Sequence, residues 1–486
     1  MRHGMKAYEE LVGGEGRLIN YRADRHKAQD LFRRALPDIE IARLPYVLQD
    51  LSMSGIAIFA NRENGWSGEP GEQVPIHIRL GKTILHEGRG RICRVEPTPF
   101  GTKVALQLTS GHLDIPQLVA RHEEICLRRE LEGGLNAASE HIPPEYRQLT
   151  SDILHLLRRY RSAIKQFNGT ANPHTLENES RLAEVLSICE ERILPEWRTL
   201  WHQANALVEP IMKDPKALKE TKRFTELVLT PEFMEAPVWK RAYEKPLGYP
   251  GDFKAMNYIY TWRRQGATPY GKLLHRIGLD TGECIANRMV MMQQIIAEIV
   301  ANKNGPVHMT NLACGPAQEI INFLRRGFIP HAVHITLIDQ DHQALSQAYE
   351  RIYPETLRLA GRASVNCLHA SFGQLLKGNQ LLDKIPAQDL IYMVGLVDYL
   401  GQRAARALIN GLYRQLAPGG CLVVGNVKKS PASLLWPTEF LCDWSLVYRT
   451  EAETFDLARD LPASTTTVKT DASDCVQMLY IRKPDA

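Results

Sequence analysis

From residue 282 to the C-terminus, runs that suit a helix and runs that suit a strand take turns. That alternation narrows the possible folds of the chain more than any other feature. The helical run "NRMVMMQQIIAEIVANK" leads into "VHMTNLA", "QEIINFLRRGF" into "AVHITLID", and "DHQALSQAYERIY" into "ASVNCLHA". The strand "QDLIYMVG", the helix "QRAARALINGLYRQL" and the strand "GGCLVVGNV" continue the series. The helical runs repeat apolar residues three and four apart, and the strands are short apolar runs bounded by turn residues. Such a series predicts an α/β domain on a mostly parallel sheet covered on both faces. In the tail, "WSLVYRTEAETFDLARDL" and "TTTVKTDASDCVQMLYIRK" predict two more strands around a helix, with a final antiparallel strand allowed.

The preceding residues divide by period. Over 1–115, "IEIARLPYVLQDLSMSGIAIFA", "EQVPIHIRLGKTI", "GRGRICRVEP" and "GTKVALQLTS" are short alternating strands bounded by Gly and Pro. That spacing predicts a small antiparallel barrel. Over 116–281 the period becomes helical in "LDIPQLVARHEEICLRREL", "YRQLTSDILHLLRRYRSAIKQF" and "TLENESRLAEVLSICEERILPEWRTLWHQANALVEPIM". Asp214 is positioned to cap "DPKALKETKRFTELVL". The middle region is thus a helical linker or cap subdomain, and 282–486 is the α/β domain.

Composition excludes several classes of function. Lys and Arg number 59 against 55 Asp and Glu, a formal charge of +4, so no basic field for nucleic acid is expected. The nine cysteines are scattered without a CxxC pair, so neither a disulfide framework nor a zinc site is expected, and a reducing cytoplasmic location follows. "MRHGMKAYEELVGGEG" has no apolar core of a signal peptide, and no apolar run reaches the ~18 residues of a spanning helix.

The first strand-to-helix switch of the α/β domain, "VHMTNLACGPAQEI", is where a ligand is expected, beyond the carboxyl ends of the strands. Small residues let the backbone approach it: Ala313, Gly315 and Ala317, with Pro316 suited to a first-turn position. Neither GxGxxG nor GxxxxGK is present, so a ligand without phosphates fits better, and S-adenosylmethionine is such a ligand. The next strand ends in Asp339, followed by Gln340. The Asp339 carboxylate would accept both ribose hydroxyls or else cap a helix; Asp341 suits the cap. Ser371 and Phe372 follow the third strand, where an adenine would be held, although Phe372 also suits a core. After the fourth strand come Gly395, then Asp398 and Tyr399, a polar pair that either touches ligand or caps the next helix.

Together these residues resemble the class I S-adenosylmethionine-dependent methyltransferases over about 282–483. The resemblance implies a Rossmann-like methyltransferase sheet, with Asn311–Ala317 holding the methionine end, Asp339 the ribose, and "LAPGG" leading into the fifth strand. Asn311 stands where the family has an acid, and Ala313 and Ala317 where it has glycines. The stretches "EKPLGYPGDFKAMNYIY", "NLACGPAQEI", "GLVDYL" and "DWSLVYR" are similar to a bacterial branch annotated for making 3-hydroxy fatty acid methyl esters. That similarity implies a carboxylate acceptor. In 249–260, Tyr249, Asn257 and Tyr260 combine apolar bodies with polar tips, as a lid over a cofactor would, or an interdomain helix. Arg449 either pairs with a substrate carboxylate or makes a surface ion pair. A carboxylate acceptor needs no base; an alcohol or phenol would call on Tyr399, His369 or His342. No metal cluster is visible.

In the N-terminal domain Asp50, Ser52 and Gly55 form DxSxxG. With the strands after it, this resembles the PilZ domain, a cyclic-di-GMP receptor whose upstream RxxxR holds phosphate and guanine. Here Arg22 and Arg25 are three apart, and Arg33 and Arg34 are adjacent. The same motif also suits a tight turn held by Asp and Ser side chains. The front domain thus has the nucleotide, a protein partner or a second copy of the chain as candidate ligands. Three functions result: methyl transfer to a small or lipid-like acceptor, a PilZ-type regulatory protein on a methyltransferase-like scaffold, or an oxidoreductase, which the missing GxGxxG disfavours.

Overall fold

A parallel sheet buries both faces, and this chain meets that demand with helices drawn from well before its first strand. The computed structural model describes residues 24–32, 35–42, 44–61, 65–98, 101–132, 141–168, 176–326, 329–370 and 385–485. The chain falls into two compact units, 1–137 and 138–486.

In the first unit six antiparallel strands close a barrel: β2 (Asp38–Ile41), β3 (Leu44–Ser52), β4 (Gly55–Asn61), β5 (Gln73–Leu80), β6 (Thr83–Thr98) and β7 (Gly101–Leu108). The ring runs β3-β2-β5-β6-β7-β4 and closes through β3–β4; β1 (His26–Lys27) lies outside β3. Alternation makes the core: Ile39 and Ile41, Ile56 and Ile58, Val74, Ile76 and Ile78, and Val104 and Leu106 point inward. Register shifts near Leu48, Ile78 and Ile92 bend the strands enough to close the ring. The helix α2 (Ile115–Glu132), the second after the single turn α1 (Ala28–Leu31), adds Leu118 to this core. Its buried His122 meets the Ala35 carbonyl at 2.6 Å, with its ring tilted against Phe32 at 4.8 Å.

The second unit holds a Rossmann-like mixed sheet in the order β10-β9-β8-β11-β12-β14-β13. Its strands are β8 (Val307–Leu312), β9 (Val333–Asp339), β10 (Ala363–His369), β11 (Gln388–Met393), β12 (Leu416–Val427), β13 (Thr465–Thr470) and β14 (Val476–Arg482). The β8 to β12 strands pair in parallel, and β14 joins β12 and β13 antiparallel. The order reverses between β8 and β11, the switch point where open sheets bind ligands.

The tail departs from the sequence expectation. Both of its strands lie in one hairpin after the helix Glu451–Phe455, and "WSLVYR" joins no ladder beyond the bridge Lys428–Arg449. The Val447 N–H donates to the Asp398 carbonyl (2.7 Å) and the Arg449 N–H to the Val427 carbonyl (3.2 Å), so this segment crosses the strand ends.

The two faces read alternately along β11. Leu390 and Tyr392 face one core and Ile391 and Met393 the other. The helix Gln402–Arg414 covers the second face with Ala405, Leu408 and Leu412. The first face is covered by the helices Glu283–Asn302, Gln318–Arg325 and His342–Arg358. The same core continues into the helices of 144–281 through Tyr146, Trp197 and Trp239. Asp214 caps Pro215–Val228, accepting from Lys216 and Ala217 N–H. Hydrogen bonds tie the helical layer to the loop after β12: Trp201 Nε1 to the Ser433 carbonyl (2.9 Å) and Trp436 Nε1 to the Tyr146 hydroxyl (2.8 Å). No helix among the described residues is long and apolar enough to cross a membrane.

His275 is fully buried in this layer, and its Nε2 has no hydrogen-bond partner. Its Nδ1 accepts the Val238 N–H at 3.3 Å, and burial pushes its pKa down to about 4. The unfolded chain takes up this proton as pH falls through the ordinary value of 6.5, while the fold takes it up only near 4. Stability is therefore full above 6.5 and declines between 6.5 and about 4. Urea unfolding at pH 7.5 and pH 5 is expected to differ by about 2 kcal/mol more in the native chain than in His275→Leu.

Candidate active site

Beyond the carboxyl ends of β8, β9 and β11, a cavity of about 170 Å³ opens in the second unit. Its near side is the loop after β8. Ala313 (φ 53), Gly315 (φ 51) and Ala317 (φ 47) all take the left-handed conformation, so the chain keeps a glycine-like path with two alanines in it. Each alanine there costs about 1–2 kcal/mol. A Cβ on Gly315 would meet nothing within 4 Å, because that space is the cavity. Pro316 also lines it.

Asp339 ends β9 and holds this loop. Its Oδ2 accepts the Gly315 N–H and its Oδ1 the Asp341 N–H, both at 2.9 Å. Burial raises its pKa, and these donors oppose the rise. Each oxygen keeps acceptor capacity toward the cavity. Asp341 caps the following helix through Gln343 and Ala344 N–H. Its Oδ2 accepts the Tyr249 hydroxyl at 2.8 Å, and burial followed by that bond raises the phenol's pKa.

The segment 249–260 forms the opposite wall, with Tyr249, Pro250, Gly251, Phe253, Met256 and Tyr260 on the cavity. Asp252 caps the helix Phe253–Thr261, accepting from Lys254 and Ala255 N–H at 3.0 Å, and pairs with Arg241 at 2.7 Å. Trp444 closes against the turn: its Nε1 donates to the Tyr399 hydroxyl (3.1 Å), which donates to the Pro250 carbonyl (3.4 Å). Gly251 allows this contact. Its φ is +68, and a Cβ there would come within 2.5 Å of the Trp444 ring. Leu434, Leu446, Ile285 and Val476 complete an apolar lining.

The deep end is charged. Arg288, on the helix Glu283–Asn302, lines the cavity with Nη1 3.6 Å from Asp398 Oδ2. Tyr260 lines the cavity with this guanidinium, and burial, partly offset by Arg288, pushes its pKa up to about 12. Asp398 Oδ1 accepts the Val427 N–H (2.8 Å) and Asn426 Nδ2 (3.1 Å); burial raises its pKa and Arg288 opposes. Glu319, the second residue of Gln318–Arg325, accepts Asn311 Nδ2 (2.9 Å) and the Tyr392 hydroxyl (2.8 Å), both on Oε1. Burial raises its pKa too, more than the Tyr392 hydrogen bond lowers it.

Several expected residues therefore meet in one place: Tyr249, Tyr260, Asn311, Ala313, Gly315, Pro316, Asp339, Gln340, Gly395, Asp398 and Tyr399 all line the cavity. Ala317 is buried beside it as the residue before the helix. Two do not line it. Asn257 is bound to the helix His342–Arg358 through Gln347 (2.6 Å) and Arg351 (3.3 Å). Arg449 is only 2% exposed and spends its guanidinium on Gln402, Asn426 and the carbonyls of Val397 and Leu400. It braces the turn that carries Asp398 and Tyr399 rather than meeting a ligand. His342 and His369 also lie off the lining, their rings 6.0 Å apart. Ser371 and Phe372 fall outside the described residues.

Sequence reasoning missed Arg288 and Glu319. The signal was available: Arg288 sits three after Ile285 and four before Met292, a charge on an apolar stripe, and Glu319 adjoins Ile320 on a buried face.

In the barrel, DxSxxG forms a tight hairpin turn. Ser52 pairs with Gly55 across it, with Ser52 Oγ 3.4 Å from the Gly55 carbonyl. Arg25 Nη1 donates to Asp50 Oδ1 at 2.9 Å, and a Cβ on Gly55 would lie 3.1 Å from the Leu106 carbonyl. Arg22, Arg33 and Arg34 fall outside the described residues.

No family model and no curated protein matches the chain. Solved structures do. A possible exported protein from Bordetella parapertussis is 16% identical, over 61% of this chain and 97% of that one, with a TM-score of 0.39. Magnesium protoporphyrin IX methyltransferase from Synechocystis PCC 6803, with bound SAH, is 12% identical over 50% of this chain and 97% of its own, with a TM-score of 0.34. N-methyltransferase NodS from Bradyrhizobium japonicum WM9 is 15% identical over 41% and 98%, with a TM-score of 0.29.

Gly251→Ala is expected to lift the 249–251 turn off Trp444, since the positive φ strains a Cβ and the contact leaves it no room. Thermal unfolding should show a loss of about 1–3 kcal/mol, with the overall circular dichroism unchanged.

Proposed function

We propose that this chain transfers a methyl group from S-adenosylmethionine to a small amphiphilic acceptor. The observation that carries the reading is Asp339: a buried carboxylate at the end of β9, tied to the Gly315 N–H at 2.9 Å, with acceptor capacity left for a ribose diol. The loop beside it has room where Gly315 lacks a Cβ, yet no nest of glycines for a pyrophosphate. These features fit a nucleoside without phosphates. When bound, S-adenosylmethionine would supply an electrophilic methyl group on a cationic sulfonium.

The residues then act by position. Asp339 fixes the sugar, the 313–317 loop fixes the sulfur end, and Trp444 with the 249–260 wall excludes water and aligns the acceptor. The finer reading is that the acceptor is the carboxylate of a 3-hydroxy fatty acid. The apolar lining by Phe253, Met256, Ile285, Leu434 and Leu446 supports a hydrocarbon acceptor. An acid acceptor needs no residue to remove a proton, which suits a cavity whose phenol at Tyr260 is held up near 12.

Calorimetry with S-adenosylhomocysteine should detect binding, and Asp339→Ala should weaken it roughly 10- to 100-fold. Incubation with S-adenosylmethionine and 3-hydroxy fatty acids should yield methyl esters by mass spectrometry. No binding by the intact chain defeats the methyl-transfer reading; binding without ester defeats only the acceptor.

A second reading concerns the barrel as a cyclic-di-GMP module. It is favoured by Arg25, half exposed and 2.9 Å from Asp50 of DxSxxG. Titration of the full chain with cyclic-di-GMP should show binding that Arg25→Ala weakens roughly tenfold; no heat at all removes this reading.

A further inference from the structure

Two buried opposite charges line the same end of the cavity without neutralising one another. Arg288 is 8% exposed and Glu319 5%. Among the described residues Arg288 forms one ion pair, with Asp398 at 3.6 Å, and its Nε has no hydrogen-bond partner. Glu319 has no cation within ion-pair distance among the described residues, though it lies within electrostatic reach of Arg288. A donor without an acceptor is costly when buried, and so is a hydrogen-bonded carboxylate that lacks a cation. A ligand that brings a carboxylate to the first and an ammonium to the second relieves both costs together.

The surroundings hold these groups in place. Asn311 on β8 and Tyr392 on β11 both donate to Oε1 of Glu319, and no described side chain donates to Oε2. The acid is thus oriented from two neighbouring strands. A Cβ on Gly395 would sit 3.2 Å from Arg288 Nη2, so the glycine leaves the guanidinium its room. Tyr260, on the opposite wall, lies within electrostatic reach of Arg288. Asn311 at the strand end is neutral, and the negative charge comes instead from the helix that follows.

We infer that Arg288 and Glu319 form a charge clamp for an α-amino acid zwitterion, the guanidinium taking its carboxylate and Glu319 its ammonium. The inference rests on the methyl-transfer reading, in which that zwitterion is the methionine end of the cofactor, and it assigns that end to two side chains outside the loop. The chain then discriminates between nucleosides that carry an amino acid and nucleosides that do not. Asp339 serves both kinds.

The test compares three probes by calorimetry on the full chain: S-adenosylhomocysteine, decarboxylated S-adenosylmethionine, which keeps the amine alone, and 5′-methylthioadenosine, which has neither group. The native chain should bind S-adenosylhomocysteine at least roughly tenfold tighter than methylthioadenosine. Glu319→Gln, which keeps an acceptor for Asn311 and Tyr392, should weaken the homocysteine and the amine probes roughly tenfold and leave methylthioadenosine within about threefold. Arg288→Met should weaken the homocysteine probe alone. Arg288→Lys, which keeps a cation beside Asp398, covers the case in which the methionine variant fails to fold, and it should show the same selectivity at smaller size. Equal weakening of all three probes, or no change in any, overturns the clamp and leaves these residues a structural role. Equal native affinity for S-adenosylhomocysteine and methylthioadenosine overturns it as well, with the methyl-transfer reading intact. A native chain that binds none of the probes overturns both.

Discussion

A parallel strand buried on both faces needs partners above and below, and that demand organises the second unit. The helix Gln402–Arg414 covers one face of the sheet, and three helices of the α/β series cover the other. The helices of 144–281 then extend the first core outward. Trp197, Trp239 and Trp436 join in that layer, and Tyr146 accepts the Trp436 indole N–H at 2.8 Å. Because 249–260 belongs to this layer, the core that completes the sheet also walls the cavity.

The cavity concentrates charge where the fold is most apolar. Asp398, Glu319 and Asp339 are buried carboxylates with raised pKa, each answered by backbone or side-chain donors. Arg288 is the one basic side chain among the described residues of the lining. Three acids against one base leave the described lining net negative, which favours a ligand of net positive charge. A sulfonium amino acid has that balance. Arg449, with each guanidinium nitrogen bonded within the 397–402 turn or to Asn426, adds rigidity behind Asp398 and lies off the cavity lining.

Much of this was legible from local pattern. Gly315 could be placed at the cavity because a strand-to-helix turn at a sheet's carboxyl edge needs a small residue, and Asp339 because the end of the next strand faces the same edge. Asp214, Asp252 and Asp341 behave as caps because capping depends on only three or four neighbouring residues. Arg449 and Asn257 were misjudged for a common reason: a polar side chain near a site looks alike in sequence whether it faces ligand or scaffold. Asn257 faces Gln347 and Arg351, far along the chain. The segment "WSLVYR" has strand composition, yet its N–H groups go to Asp398 and Val427 across the strand ends.

By itself the sequence determined the alternation of elements, the barrel ahead of the α/β domain, the turn residues and the caps, all of which follow from periods and neighbours within one or two turns of chain. Tertiary structure alone decided which distant side chains share a cavity. Arg288 reaches Asp398 from a helix more than a hundred residues earlier, and Trp444 closes on Gly251 from far along the chain. Such pairings depend on strand order, and strand order is set by how whole faces are buried rather than by any local preference.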